Sequence, residues 1–288
     1  MNKQDIFSLY RIIAKILWKT KIFYFRTPRR IHKAIIKYFV SDYIEIDGFK
    51  IYTGENDDDN FTIYGFEQHK DLIMLIQKYV RKGDTVLDIG ANVGKVSLIL
   101  SRQVGDTGKV YSFEPESNNF ELLKKNIEVN NFRNITPLKY AVTDKNEKSF
   151  LRISGACTTH QVCNDTNDET EEIETICIDE YFKEQKIDFM KIDAEGSEPR
   201  IIQGMKETVR INPHLKFIIE YNARILESLN IDKKKYIDEL TSLGFSIYDT
   251  MRDPSTPTTS LELTNYYNSK EPHLTNIFCI KPLDIFSN

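Results

Sequence analysis

The residues best placed for chemistry lie in one stretch, Val86-Leu87-Asp88-Ile89-Gly90-Ala91-Asn92-Val93-Gly94-Lys95-Val96-Ser97. An apolar run ends in an acid, bends through two glycines and continues as a helix-like pattern. A strand turning on glycine into a helix leaves backbone N–H groups unpaired where a ligand can approach closely. Gly90 would permit that approach, and Gly94 would let the following helix pack tightly against the strand. A second apolar run, Tyr111-Ser112-Phe113, ends at Glu114, 24 residues beyond Gly90. That interval is close to the roughly 20 residues at which a carboxylate grips ribose hydroxyls. Turn and spaced acid together predict a ligand with an adenosine part.

The turn also discriminates among such ligands. A dinucleotide site reads G-x-G-x-x-G and seats a pyrophosphate on the helix N-terminus. Here the turn reads G-A-N-V-G and follows Asp88, which would repel phosphate but suits an ammonium group, met directly or through water. S-adenosylmethionine therefore ranks ahead of a nicotinamide cofactor. Tyr266 and Lys270 have the Y-x-x-x-K spacing of a reductase pair, but the segment reads as a polar loop and the spacing as chance.

Methyl transfer to a hydroxyl benefits from a base, typically by ~10²- to 10⁴-fold. Ligands of open α/β sheets bind beyond the carboxyl ends of the strands. Asp193 ends the run FMKID, Glu195 and Glu198 follow it, and Glu220 and Asn222 end the next run. Asp193 and Glu220 are the candidate bases. The competing reading is that Asp193 and Glu195 cap a helix beginning near Ser197. His160 is a third candidate, since an imidazole pKa of about 6.5 suits the task. Its flanking Cys157 and Cys163 are too tightly spaced for a common zinc site, so no metal is assigned.

Positioning these residues requires alternating strands and helices. From Gln68 onward VLDI (86–89), VYSF (110–113), ITPLKY (135–140), FMKID (189–193) and KFIIEY (216–221) alternate with helical segments. That pattern predicts a mainly parallel sheet with helices on both faces. The polar, acidic stretch 158–174 reads as a mobile loop near the site. Residues 41–66 alternate around Asp47-Gly48 and predict a hairpin serving as an entry module. Its acidic run Asp57–Asp59 lacks the ligand spacing of a calcium loop.

The 288 residues, 40% hydrophobic and 28% charged, exclude a collagenous, low-complexity or disordered chain. Residues 1–40 hold ten Lys/Arg against one acid, Asp5, for a net +9; the remainder holds 29 basic and 42 acidic residues, for a net −13. Any polyanion contact should therefore belong to the arm, and the acidic body argues against nucleic acid as a substrate. The arm reads as an amphipathic helix over Asp5–Lys21, a break at Pro28 and a second short helix over Ile31–Val40. It could pack on its own body, on a subunit or on a membrane surface. Basic residues interrupt every apolar run before the ~20 residues of a membrane span. Four cysteines and no secretory signal fit reduced thiols and a cytoplasmic, at most membrane-peripheral, location.

Four blocks, VLDIGANVGKVS, VYSFEPESNNFELLKKNIEVNN, DFMKIDAEGSEPRIIQG and TNIFCIKP, resemble the FkbM family of class I methyltransferases over about residues 64–281. K-I-D-A-E-G-S-E is the most specific element. The resemblance implies a Rossmann-like sheet of seven strands, S-adenosylmethionine as donor, and O-methylation of sugars, glycan precursors or secondary metabolites. It implies Asp88, Gly90, Asn92, Gly94 and Glu114 as donor-site residues, Glu67 as a weaker one, and Ala141-Val142 as a strand end near the adenine. Asp193, Glu220 and Asn222 also look like the two-acid-plus-amide magnesium site of catechol-type methyltransferases. FkbM proteins do not advertise a metal, so magnesium remains a minor alternative. The expected division is an arm (1–40), an entry hairpin (41–66) and a methyltransferase domain (67–288). The rival functions are a nucleic acid methyltransferase using the basic arm and a non-catalytic membrane or glycosyltransferase adaptor.

Overall fold

The computed structural model describes residues 3–20, 22, 25–39, 43–53, 70–153, 160–163, 170–269 and 273–282. Glu67, the run Asp57–Asp59, Cys157 and Lys270 lie outside these residues. The chain forms two compact units, 1–70 and 71–288.

In the first unit, α1 (Lys3–Lys19) and α2 (Arg26–Phe39) precede strands β1 (Ile44–Ile46) and β2 (Phe49–Ile51). Pro28 does not separate the helices as expected but sits in the first turn of α2. A proline is tolerated there because N–H groups of the first turn have no intrahelical acceptor. The β1–β2 turn is Asp47-Gly48, with φ of 53° and 80°. Positive φ at both central residues is what a type I′ hairpin turn requires.

In the second unit, helix α3 (Lys70–Tyr79) leads into strands β3 (Thr85–Ile89), β4 (Lys109–Phe113) and β5 (Ile135–Leu138). Then come β6 (Ala141–Thr143), β7 (Glu147–Arg152), β8 (Gln161–Cys163) and β9 (Thr170–Cys177). The last five strands are β10 (Phe189–Ile192), β11 (Lys216–Asn222), β12 (Ser246–Asp249), β13 (Asp253–Pro257) and β14 (Leu274–Ile280). The main sheet has eight strands in the order β13-β12-β14-β11-β10-β3-β4-β5. Strands β5, β4, β3, β10 and β11 are mutually parallel, while β14 runs antiparallel between β11 and β12. This is the expected seven-stranded class I arrangement with one addition, the exposed edge strand β13.

Strand β10 is buried along its whole length and β3 from Val86 onward, as a parallel sheet covered on both faces demands. Phe113, Phe189, Phe217 and Tyr221 anchor its core, each contributing about 1.5–3 kcal/mol by burial. Chain order reverses between β3 and β10: β4 and β5 extend one way from β3, β10 and β11 the other. Such a switch point opens a crevice at the carboxyl ends of the two strands.

Two local expectations fail. The stretch 158–174 is not simply a loop, because Gln161–Cys163 and the segment from Thr170 onward are strands of a second sheet ordered β6-β9-β7-β8. Its acids alternate with Ile173, which packs with Ala141 and Leu151 in a small core of its own. Tyr266 and Tyr267 lie on a helix, Ser260–Ser269, rather than in a loop. The Tyr267 hydroxyl donates to Asp249, a structural bond. No described helix is long and apolar enough to cross a membrane.

Candidate active site

The glycine turn closes the end of β3 and leads into α4 (Lys95–Val104). Gly90 has φ +73°, and a Cβ there would lie 1.8 Å from the main-chain oxygen of Asp193. Glycine is needed so that β3 and β10 can close against each other; the approaching group is the protein's own backbone. Gly94 has φ +89°, and a Cβ would strike Leu123 at 2.6 Å. The close packing it allows is thus with α5 (Ser117–Val129), the helix after β4, and not with its own helix.

The expected unpaired N–H groups are absent from this turn. Gly90 and Ala91 donate to Phe113 O at 3.0 and 2.8 Å. Asn92 N–H donates to Glu114 Oε2 at 2.8 Å, Val93 to the Asn92 side chain at 2.7 Å, and Gly94 to Ala91 O at 2.8 Å. Asn92 reaches this geometry with φ 51°. Carbonyls are held too: Lys191 Nζ donates to Gly90 O at 3.0 Å and Asn126 to Val93 O at 2.8 Å. A turn whose N–H groups are all engaged offers no anion cradle. That agrees with a donor lacking phosphate and disfavours a dinucleotide.

Acids surround the turn. Asp88 is fully buried; Ser97 Oγ donates to it at 2.6 Å and in turn accepts from Ser112 at 2.8 Å. Its other oxygen has no hydrogen-bond partner, although Lys191 Nζ lies 3.8 Å away. Burial raises its pKa. Glu114 accepts one N–H on each oxygen, from Asn92 and, at 3.0 Å, from Glu116. Burial lifts its pKa to about 7. Each oxygen retains a lone pair for a ribose hydroxyl.

Beyond β10, Asp193 accepts from Lys191 at 3.1 Å. Neither Asp193 nor Glu195 caps the next helix, α7 of this unit's continued series (α6, Ile178–Phe182; α7, Glu198–Gln203). Glu198, the first residue of that helix, instead ties the preceding turn, accepting from Ala194 N at 2.7 Å and Gly196 N at 2.8 Å. Glu195, with φ 50°, is turned instead toward Asp193 and Glu220, and one oxygen from each of the three lies within 4.8 Å of the others. Burial, then the Asp193 charge, raises Glu195 to about 8. The same causes raise Glu220 well above the usual carboxylate range. Asn222, the expected amide partner, accepts from Ile225 N at 3.3 Å and caps the following helix.

His160 belongs to a different neighbourhood. Burial lowers its pKa, and the charges acting on it are Glu116 and Glu171. Ala141 and Val142 open β6 with buried side chains, so a ligand there would meet their backbone. Sequence reasoning missed Lys191 and placed Glu195 at the strand end without naming it among the candidate bases. The signal for Lys191 was a lysine inside an otherwise apolar strand, since a buried cation must face acids.

The sequence profile of the Methyltransferase FkbM domain matches residues 88–247. The chain is 24% identical over 175 residues to a hexuronic acid methyltransferase of Haloferax volcanii, covering 58% of this chain and 69% of that protein. Among solved structures it is similar to an FkbM methyltransferase from Methylobacillus flagellatus (TM-score 0.46, 15% identity, 77% of this chain and 52% of that one). It is also similar to fibrillarin from Aeropyrum pernix with bound S-adenosylmethionine (TM-score 0.40, 15% identity, 73% and 74%). Those two likenesses add nothing to the assignment, which rests on the profile match across more than half of the chain and on the strand order. The chain belongs to the FkbM family of S-adenosylmethionine-dependent methyltransferases.

Proposed function

We propose that this enzyme methylates a hydroxyl oxygen of a sugar, glycan precursor or secondary metabolite. The observation that carries the reading is the convergence of Asp193, Glu195 and Glu220 at the carboxyl ends of adjacent strands. S-adenosylmethionine, when bound, supplies a methyl group activated by a sulfonium. Glu114 would hold its ribose hydroxyls, with Gly90, Asn92 and Gly94 shaping the turn beside it and Ala141 and Val142 bordering the adenine. Asp88, sealed behind the turn, acts by fixing Ser97 and Lys191 and adds negative potential that favours a cationic donor. Glu67 remains a candidate donor-site residue.

On the acceptor side, Glu195 or Glu220 takes the hydroxyl proton. A base with a pKa near the working pH is the efficient kind, and burial among like charges raises these two toward it. Asp193, held by Lys191 at 3.1 Å, stands beside both acids and contributes to that shift. His160, a third candidate base, would act from the side of Glu116 and Glu171. The reaction is read as metal-independent, since Lys191 already supplies positive charge between Asp88 and Asp193; EDTA should leave turnover unchanged. The similarity to a hexuronic acid methyltransferase supports a sugar-like acceptor.

The test is incubation of the full-length protein with methyl-labelled donor and neutral glycosides, glucuronosides, phenols, RNA and protein. Label on a carbohydrate or metabolite oxygen is expected. Label appearing only in RNA or protein, or only on nitrogen, would overturn the reading.

A further inference from the structure

The first unit carries a feature that methyl transfer does not use. Of the large hydrophobic side chains that stand exposed among the described residues, ten of sixteen lie between Ile6 and Tyr43. On α1 they are Ile6, Leu9, Ile12, Ile13 and Ile16, between 42% and 62% exposed. At 100° per residue these five fall within one stripe about 120° wide. Arg11, Lys15 and Lys19 border that stripe on one side. The opposite side faces α2: Ala14 and His32 are fully buried, and Tyr10 bonds to His32 at 2.5 Å. The stripe is therefore the outer side of the helix pair. On α2, Ile31 and Tyr38 are 56% and 69% exposed, and Arg30 is exposed as well.

We propose that α1 and α2 dock this enzyme on an anionic lipid surface, lying in the headgroup plane with their isoleucines inserted and their basic residues against phosphate. An anionic bilayer surface offers both partners this face needs, with no matched groove required. Nucleic acid would answer the net +9 of residues 1–40 but has no apolar surface for five exposed aliphatic side chains. A second protein, including the acidic body of another copy, would answer the charge but would have to carry an apolar groove matched to the exposed isoleucine stripe. An amphipathic helix with a Lys/Arg-rich polar face is the kind that binds in the interface plane, by buried apolar area together with attraction to anionic lipid. The about 25 Å length of α1 and its interrupting basic residues fit lying on the membrane rather than crossing it.

The experiment is co-sedimentation of the full chain with vesicles of phosphatidylglycerol and phosphatidylcholine, against phosphatidylcholine alone, with donor affinity measured in parallel. Wild type should sediment with the anionic vesicles and not the neutral ones, and high salt should release it. Ile12→Asp with Ile16→Asp should lower partitioning more than about 10-fold. Lys15→Gln with Lys19→Gln should lower it about 30-fold. Both should leave donor affinity unchanged. Wild type that ignores anionic vesicles overturns the proposal. So does partitioning that survives the isoleucine changes, which would mean charge attraction alone. Concentration-dependent self-association without vesicle binding, abolished by Ile12→Asp and Ile16→Asp, would assign the face to a second copy instead. A drop in melting temperature of the isoleucine variants without vesicle binding would assign it to the protein's own body.

Discussion

Two sets of carboxylates lie at neighbouring strand ends, and the protein treats them oppositely. Glu114 and Glu198 each receive two backbone N–H groups, and Asp88 receives Ser97. Glu195 and Glu220 receive no side-chain hydrogen bond from the described residues and face Asp193 and each other. The first set holds the backbone in shape, because a buried carboxylate that accepts N–H groups locks the turn that supplies them. The second set is half-buried and carries no such bonds among the described residues. Acids crowded together without N–H donors persist where function requires them, so the contrast sets turn-holding and donor-side acids against those available to take a proton.

The sharpest way to break that contrast is to neutralise each set in turn. Glu195→Gln and Glu220→Gln should lower kcat by about 10²- to 10⁴-fold while donor affinity, read by calorimetry, moves less than about threefold. The larger effect identifies the base. If neither change lowers kcat while His160→Ala does, the acceptor side has been placed in the wrong neighbourhood.

Next in size is the turn itself. Gly90→Ala puts a Cβ against Asp193 O and demands a strained φ, which should destabilise by roughly 3 kcal/mol or more. Gly244→Ala is the matched control, with φ +90° but nothing within 4 Å of the added atom; it should lose only about 1 kcal/mol. Urea unfolding compares them, and equal losses would mean that backbone strain alone, and not the β3–β10 closure, sets the cost at Gly90.

How much of this was legible in sequence follows the physics of each signal. Strands β3, β4, β10 and β11 were readable because burial of most of their residues writes largely apolar, β-branched and aromatic runs. The second sheet was not, because Thr170–Cys177 alternates acids with Ile173 over too small a core to outweigh its polar composition. Gly90 and Glu114 were readable as residue types at an interval. What each one touches was not: the partner of Gly90 is a carbonyl 103 positions away, and tertiary closeness of that kind leaves no local trace. For Glu195 capping was the competing reading, because an acid ahead of a helix is usually a cap. Nothing local reveals that Glu198, from inside the first turn, already takes the N–H groups.

Glu114 offers a smaller, graded test. Glu114→Gln keeps an acceptor for one N–H but removes the charge and sets an amide donor against the other. Donor affinity should fall about 10- to 100-fold, the range for a hydrogen bond to a charged group, with kcat at saturating donor nearly unchanged. A loss of kcat without a loss of affinity would move Glu114 from donor binding to the chemical step and erase the distinction between the two sets.

The smallest effect is spread over both sets and appears as pH dependence of stability. Glu114 and Glu198 stand at about 7 and Glu195 at about 8, each above the ordinary value of 4.5. A raised carboxyl binds its proton more tightly folded than unfolded. Its contribution is therefore fully present below about 4.5 and is lost as pH rises through 7 to 8. His160 opposes this weakly, because its lowered pKa gives stability above 6.5 that is lost on acidification. The carboxyls outnumber it, so the melting temperature should fall between pH 5.5 and 8.5, and Glu195→Gln should flatten the slope. A cationic donor favours the ionised acids, so its stabilising effect should grow over the same interval. A melting temperature that rises with pH in the absence of donor would mean that these carboxyls are solvated far better than their burial implies, and the contrast between satisfied and unsatisfied acids would fail with it.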